Sequence, residues 1–358
     1  VDIQMPGQHT WKEIQSQPEV WREVLAGVRE RAHEIETFFK VPRPVEEIVV
    51  LGCGSSYYLS LSAAHAFQRF LGLPARAVPS SEGIFYPEAV FPKDRAFVAV
   101  GVSRSGETTE TVVALRRAAE FPNGRLASVS CHKESGLGEL GGLHLPLTAG
   151  AETSVVMTRS FSSMLLALQA VAALAAGDKA RLELLASLAD LAPLVLEAAR
   201  PVVEAVGADE SLRRFVFLGS GPLYGIASEA MLKIKEMALE ESEAYHSLEY
   251  RHGPKSVANG STLVVSFMCA AAAGEEKELL EELSSLSART MVVGPDGTEA
   301  ARAGGDWFIP LPEVDLDDWA RALLMVLPGQ LLAYHRAVSK GLDPDRPQNL
   351  SHVVRLGL

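Results

Sequence analysis

Two short stretches of this chain carry donors in a pattern suited to holding an anion. Gly101-Val102-Ser103-Arg104-Ser105-Gly106-Glu107-Thr108 follows a β-branched run and opens a helical stretch through Thr109, Glu110 and Thr111. Backbone N–H groups at a helix N-terminus lack intrahelical partners, and the dipole there favours negative charge. Ser103, Ser105 and Thr108 add hydroxyls to those donors, and Gly106 lets the backbone come close. A second turn, Gly52-Cys53-Gly54-Ser55-Ser56, also leaves a strand at its carboxyl end, where open α/β sheets bind ligands. Two such turns on one edge can close around one phosphate, although a serine-rich turn alone is more often an ordinary N-cap. The Gly-x-Gly lacks the third glycine and the acidic residue of a dinucleotide fingerprint.

Proton-transfer chemistry is offered further along. Met231-Leu232-Lys233-Ile234-Lys235-Glu236 lies on a helical pattern whose apolar face is Ile226, Ala230, Ile234 and Met237, so Lys233 and Glu236 share one edge of that face. A half-buried carboxylate can be tuned to move protons between adjacent carbons, whereas a solvated, salt-bridged edge is the commoner use of such a pair. Ser242 to Tyr245 and Glu249 to Lys255 read as one long polar loop, with His252 just before Gly253-Pro254. An exposed imidazole there can take or give a proton.

These residues need a scaffold, and the chain spells one twice. Ile48-Val49-Val50-Leu51-Gly52-Cys53-Gly54 is echoed by Phe215-Val216-Phe217-Leu218-Gly219-Ser220-Gly221, and Ala96 to Val100 by Leu263 to Phe267. Leu126 to Val129 matches Thr290 to Val293, and His144 to Leu147 matches Trp307 to Leu311. A shift of roughly 165 residues fits two tandem α/β units, not a short solenoid repeat. Strand, glycine turn and helix in alternation predict parallel sheets flanked by helices. The expected organisation is a helical segment over 1–40, a first α/β domain over 41–178, a helical linker over 179–206 broken by Pro193 and Pro201, a second domain over 207–340, and an extended tail over 341–358 carrying Pro344 and Pro347. The second unit has Ala270-Ala271-Ala272-Ala273 in place of the serine loop, so phosphate is expected in the first alone.

Composition narrows the partners. The chain has 358 residues, 47% of them hydrophobic, and a formal net charge of −12. Its field repels nucleic acid and anionic lipid, while a local donor cluster can still hold a small anion. Cys53, Cys131 and Cys269 are scattered without zinc-ligand spacing and read as reduced thiols. Val1 to Trp11 shows no secretory pattern, which leads to the expectation of a cytoplasmic protein. The apolar stretch Met164 to Ala176 is too short for a membrane span and reads as a buried helix.

With these motifs assembled, the chain resembles the sugar isomerase (SIS) family over nearly its whole length. The matching segments are Gly52 to Ser56, Ser103 to Thr108, Glu152 to Phe161, Leu218 to Tyr224, Lys233 to Glu236, Glu243 to Gly253 and Asp343 to Val354. The resemblance is to tandem-domain members, as in the isomerase half of glucosamine-6-phosphate synthases, and most of all to stand-alone glucosamine-6-phosphate deaminases. It implies two tandem SIS domains, each a three-layer α/β/α, flavodoxin-like fold. It implies a hexose 6-phosphate surrounded by Cys53, Gly54, Ser55, Ser56, Ser103, Arg104, Ser105 and Thr108, with Val155 and Met157 lining the site. Glu236 would shuttle a proton between C1 and C2 beside Lys233. His252 would open the sugar ring, entering the site of a neighbouring subunit in a homodimer with shared active sites. No metal or organic cofactor is implied.

Two departures bear on the reaction. The synthases carry a tail lysine that forms an imine with the ketose, and His352 stands at the aligned place. A histidine cannot form that imine, although an aminosugar brings its own amine. The Ser154-Val155-Val156-Met157-Thr158 segment resembles the deaminase and ketose/aldose isomerase branches more than the synthases. No glutaminase domain precedes the first repeat, so the expected reaction is glucosamine 6-phosphate to fructose 6-phosphate and ammonia without glutamine. The alternatives are another aminosugar or fructosamine 6-phosphate as substrate, or a non-catalytic phosphosugar-binding regulator.

Overall fold

The computed structural model describes residues 6–295 and 305–357. It contains two parallel five-stranded sheets flanked by helices. In the first, β1 (Glu47–Gly52), β2 (Ala75–Pro79), β3 (Phe97–Val102), β4 (Gly124–Ser130) and β5 (Leu143–Pro146) run in the order β2-β1-β3-β4-β5. The second repeats it with β6 (Arg214–Gly219), β7 (Glu241–Tyr245), β8 (Thr262–Phe267), β9 (Arg289–Pro295) and β10 (Trp307–Leu311), ordered β7-β6-β8-β9-β10. The register is repeated as well, with Glu47 opposite Phe97 in one sheet and Arg214 opposite Thr262 in the other. Strands β1, β3 and β8 are buried along their whole length, as their unbroken apolar runs require when helices cover both faces.

The chain divides into two compact units, each built around one sheet. The first-sheet unit comprises Ser16–Glu152, Arg159–Ala189 and the segment from Ser351. The second-sheet unit comprises the segment to Gln15, Thr153–Thr158 and Asp190–Leu350. In the first, the Arg159–Ala176 helix packs on the Ser55–Leu71 and Gln17–Glu30 helices. It begins at Arg159, ahead of the Met164 start read from the sequence, which corrects the expectation that it is too short: it is the one described helix long and apolar enough to cross a membrane, and 83% of it is buried inside the fold, as expected of a core helix. Trp21 Nε1 donates to Ser162 Oγ at 2.8 Å, which lets an indole N–H sit in the core without penalty.

The N-terminal helical segment forms three helices, Gln8–Gln15, Gln17–Glu30 and Ala32–Lys40. Two local expectations are corrected. Ser242–Tyr245 is edge strand β7, not loop, and β2 was likewise not visible in the pattern. Strand β7 is mostly polar, β2 holds an arginine and ends in proline, and both are only partly buried, so neither shows the apolar run that marks its central neighbour. Pro193 and Pro201 do not break the chain, because Lys179–Ala208 is one helix containing both. Each proline removes a backbone hydrogen bond, but Leu188, Ala192, Val195, Ala199, Val203 and Val206 form a fully buried stripe at helical spacing that outweighs the loss.

Gly52 and Gly219 end the first strand of each sheet under the same constraint. A Cβ on Gly52 would lie 2.5 Å from the Ser56 backbone, and one on Gly219 would lie 2.4 Å from the Leu223 carbonyl oxygen. Gly52→Ala and Gly219→Ala should each cost about 1–3 kcal/mol in urea denaturation through forced displacement of the helix start. Gly27→Ala, where the new methyl meets nothing within 4 Å, should instead gain about 0.5–1 kcal/mol.

Candidate active site

In the first-sheet unit, both donor-rich turns sit where the strand order reverses, at the carboxyl ends of β1 and β3. That crevice is the binding place of open α/β sheets. Ser103 is buried, and its Oγ lies 2.9 Å from Thr108 Oγ1 and 3.4 Å from Ser105 Oγ, while accepting from Gly106 N at 3.1 Å. Ser105 Oγ accepts from Glu107 N at 3.1 Å. The loop is therefore a preformed knot of hydroxyls and amides. Gly106 has φ +70°, and a Cβ there would lie 2.4 Å from Ser135 Cβ, so no other residue fits. On the neighbouring turn Ser55 and Ser56 are buried, Gly54 is exposed with φ +53°, and Cys53 Sγ lies 3.7 Å from Thr111 Oγ1. Burial pushes the Cys53 thiol above its ordinary value, so it lines the turn as a neutral group.

Arg104 is committed within this unit. Its Nη1 lies 3.4 Å from Glu152 Oε2, and its Nη2 donates to the His352 carbonyl at 3.2 Å. Leu356 N donates to Thr109 Oγ1 at 3.1 Å, so the tail is fastened to the serine loop at two points. The His352 imidazole is held below the usual histidine range by desolvation and then by the Arg104 charge, which keeps it neutral at pH 7.

The second-sheet unit answers each of these features differently. Ser220, just after β6, meets Glu276 on the helix that follows β8, as Cys53, just after β1, meets Thr111 on the helix that follows β3. Glu276 is buried, accepting from Cys269 N at 2.9 Å and Ser220 Oγ at 3.1 Å, and burial raises its pKa. Asp318 accepts from Ala270 N at 3.2 Å and from the Cys269 thiol at 3.1 Å. That thiol is pushed up to about 12 by burial and by its bond to the carboxylate. The loop amides that would meet a phosphate in this copy are thus already answered by the protein's own carboxylates.

What the second copy offers lies on the Leu223–Ala238 helix. Lys233 has no solvent exposure. Its Nζ lies 3.2 Å from Glu229 Oε1 and donates to Glu236 Oε2. The Glu229 side chain is equally inaccessible, whereas Glu236 keeps 19% exposure. Burial opposes the lysine's charge, but the two carboxylates outweigh it and raise its pKa. The solvated-edge reading of Lys233 is therefore corrected: it is a buried cation between two carboxylates, with Glu236 as the member that solvent reaches.

His252 is exposed in the turn following a short 3₁₀ helix, Leu248–Arg251. Among the described residues, no hydrogen bond or ion pair joins it to Glu236 within the chain. Val155 and Met157 are half-buried and alternate with buried Ser154, Val156 and Thr158.

The SIS domain pattern matches residues 43–174, which hold the first sheet and both donor turns. A solved glucosamine-6-phosphate deaminase from Thermotoga maritima is 33% identical, with a TM-score of 0.77, over 93% of this chain and 99% of its own. The chain belongs to the SIS domain family. It is also 33% identical, over 96% of its length, to the isomerizing glutamine–fructose-6-phosphate aminotransferases of Gloeobacter violaceus and Methanothermobacter thermautotrophicus, and spans 58% and 56% of those proteins. Tagatose-6-phosphate ketose/aldose isomerase from Escherichia coli shares the fold, with a TM-score of 0.86 at 24% identity over 95% of this chain and 96% of that one.

Within this SIS chain, motif reading missed Glu229, Glu276 and Asp318 as site-shaping residues. Glu229 was findable, since positions 229, 233 and 236 form one row of a helix already recognised as amphipathic. Asp318 and Glu276 are far apart in sequence and meet at one loop, which no local pattern announces. Lys233→Met should leave two carboxylates facing each other without a cation and cost about 3–5 kcal/mol in chemical denaturation. The lysine's folded pKa lies above its ordinary 10.5, so its stabilisation is complete below pH 10.5 and lost as pH rises through the folded value. A pH series taken upward from neutrality should show the wild-type advantage over Lys233→Met level to that point and shrinking above it.

Proposed function

We propose that this chain is a phosphosugar isomerase of the deaminating kind, converting glucosamine 6-phosphate and water to fructose 6-phosphate and ammonia. The observation that carries this reading is the row Glu229, Lys233 and Glu236, which buries a cation and leaves one carboxylate accessible as a base. The full-length likeness to the Thermotoga maritima deaminase supports the substrate. In this reading Cys53, Gly54, Ser55, Ser56, Ser103, Ser105 and Thr108 surround the phosphate, and Arg104 closes that cradle together with the tail. His252, contributed by a partner copy in a homodimer, moves the proton that opens the ring. Glu236 removes the proton at C2 of the open-chain aldose and returns it at C1, beside the Lys233 ammonium. The resulting C2 imine, formed from the substrate's own nitrogen, takes up water and releases ammonia. That route needs no lysine where His352 stands.

We further propose that the second half is a second SIS domain, since its sheet repeats the strand order and register of the first. The three cysteines are free thiols, in keeping with a cytoplasmic setting. A second reading is favoured by the aminotransferase likeness: the same machinery could serve as the isomerase part of a glutamine-dependent synthase, with ammonia as co-substrate.

Incubation with glucosamine 6-phosphate should yield ammonia and fructose 6-phosphate in equal amounts. Glu236→Gln should lower kcat by about 10²–10⁴ while leaving phosphosugar affinity within about twofold. Ammonia from no aminosugar phosphate, with hexose phosphate still bound tightly, would point to a regulator instead.

A further inference from the structure

The N-terminal helix, Gln8–Gln15, belongs to the second-sheet unit together with Thr153–Thr158 and the Asp343–Asp345 turn. Its first amides are capped from that turn. Asp345 accepts from His9 N at 2.9 Å, Thr10 N at 2.7 Å and Thr10 Oγ1 at 2.7 Å, and Asp343 accepts from Gly7 N at 2.8 Å. Carboxylates placed there complement the N–H groups of a helix start and its dipole. The helix is therefore fixed at its start by a distant part of the same unit.

Three residues past Thr10 stands Glu13, a carboxylate with 3% exposure. Its Oε1 accepts from Thr153 N at 2.6 Å and Ser154 N at 3.3 Å, and its Oε2 accepts from Ser154 Oγ. Gln330 Nε2 donates to the Thr158 carbonyl at 3.0 Å, so the segment is held at both ends. Without Glu13, buried Ser154 loses a bond from its amide and one from its hydroxyl, which also donates to the Val156 carbonyl at 3.3 Å, and Thr153 N loses a third, so the start of the segment can shift. The residues that would move with it are Val155 and Met157.

We propose that Glu13 is a positioning residue, holding Thr153–Thr158 so that Val155 and Met157 meet the sugar portion of a hexose 6-phosphate. This rests on the reading that the chain binds such a sugar. Glu13 touches no substrate, and it acts on sugar recognition without acting on the phosphate cradle.

Calorimetric titration of the full chain with fructose 6-phosphate, and separately with inorganic phosphate, tests it. Glu13→Ala should weaken fructose 6-phosphate by about tenfold or more and leave inorganic phosphate within about twofold. Glu13→Gln keeps a carbonyl for the two amides and presents its NH₂ to the Ser154 oxygen, so it should restore most of the sugar affinity. Unchanged sugar affinity in Glu13→Ala, or parallel loss of both ligands, overturns the proposal. Should Glu13→Ala not fold, Ser154→Ala removes one of the three bonds and should weaken the sugar alone by a smaller factor; no change overturns it equally. A wild type that binds fructose 6-phosphate but releases no ammonia from glucosamine 6-phosphate refutes the reaction assigned above and leaves this inference standing. A wild type that binds no hexose 6-phosphate refutes both.

Discussion

A lysine with no access to water must be neutralised by its neighbours, and most of what is distinctive in the second half of this chain follows from that constraint at Lys233. Taking an ammonium out of water costs several kcal/mol, so the Leu223–Ala238 helix is stable in its place only with Glu229 and Glu236 beside the cation. Positions 229, 233 and 236 are one row of a helix, so the backbone itself delivers the three groups to one another. The two carboxylates then differ in a way that matters chemically. Glu229 is sealed, and Glu236 has one oxygen committed to Lys233 while its side chain still meets solvent. A base must be both held and reachable, and Glu236 alone of the three is both.

The two sheets show how a duplicated architecture can be divided between tasks by a few substitutions. Both present loop amides at the carboxyl end of their third strand. In the first copy Ser103, Ser105 and Thr108 surround these amides with hydroxyls that can be turned toward an anion. In the second, Glu276 and Asp318 occupy the amides from within. A buried carboxylate at Glu276 is a costly group, as its raised pKa reflects, and its cost is offset by the Cys269 amide and the Ser220 hydroxyl that donate to it. One copy rings its loop amides with hydroxyls and the other is internally saturated; under the function proposed above, the first would hold the phosphate and the helix of the second would move the proton.

The central strands and the two glycine turns were legible because buried parallel strands are unbroken apolar runs and because Gly52 and Gly219 have no room for a side chain. The serine loop was legible for the same local reason: hydroxyls, a required glycine and a helix start are contiguous. Strands β2 and β7 were not, since a half-exposed edge strand such as Glu241–Tyr245 carries polar residues that read as loop. The prolines of the Lys179–Ala208 helix misled because local propensity was overruled by a buried stripe whose partners are distant in sequence. The same distance hid Glu13, Glu276 and Asp318. Each is an ordinary surface-type residue until tertiary structure brings backbone donors to it.

The claim at the centre of this account is that Glu236 takes a proton from a carbon of a bound hexose phosphate. Proton NMR of fructose 6-phosphate incubated with the protein in D₂O reads that step without dependence on nitrogen chemistry. One of the two C1 hydrogens should exchange for deuterium, with the other retained because a fixed carboxylate addresses one face. Full retention of both C1 hydrogens, with the sugar bound at saturating concentration, would contradict it.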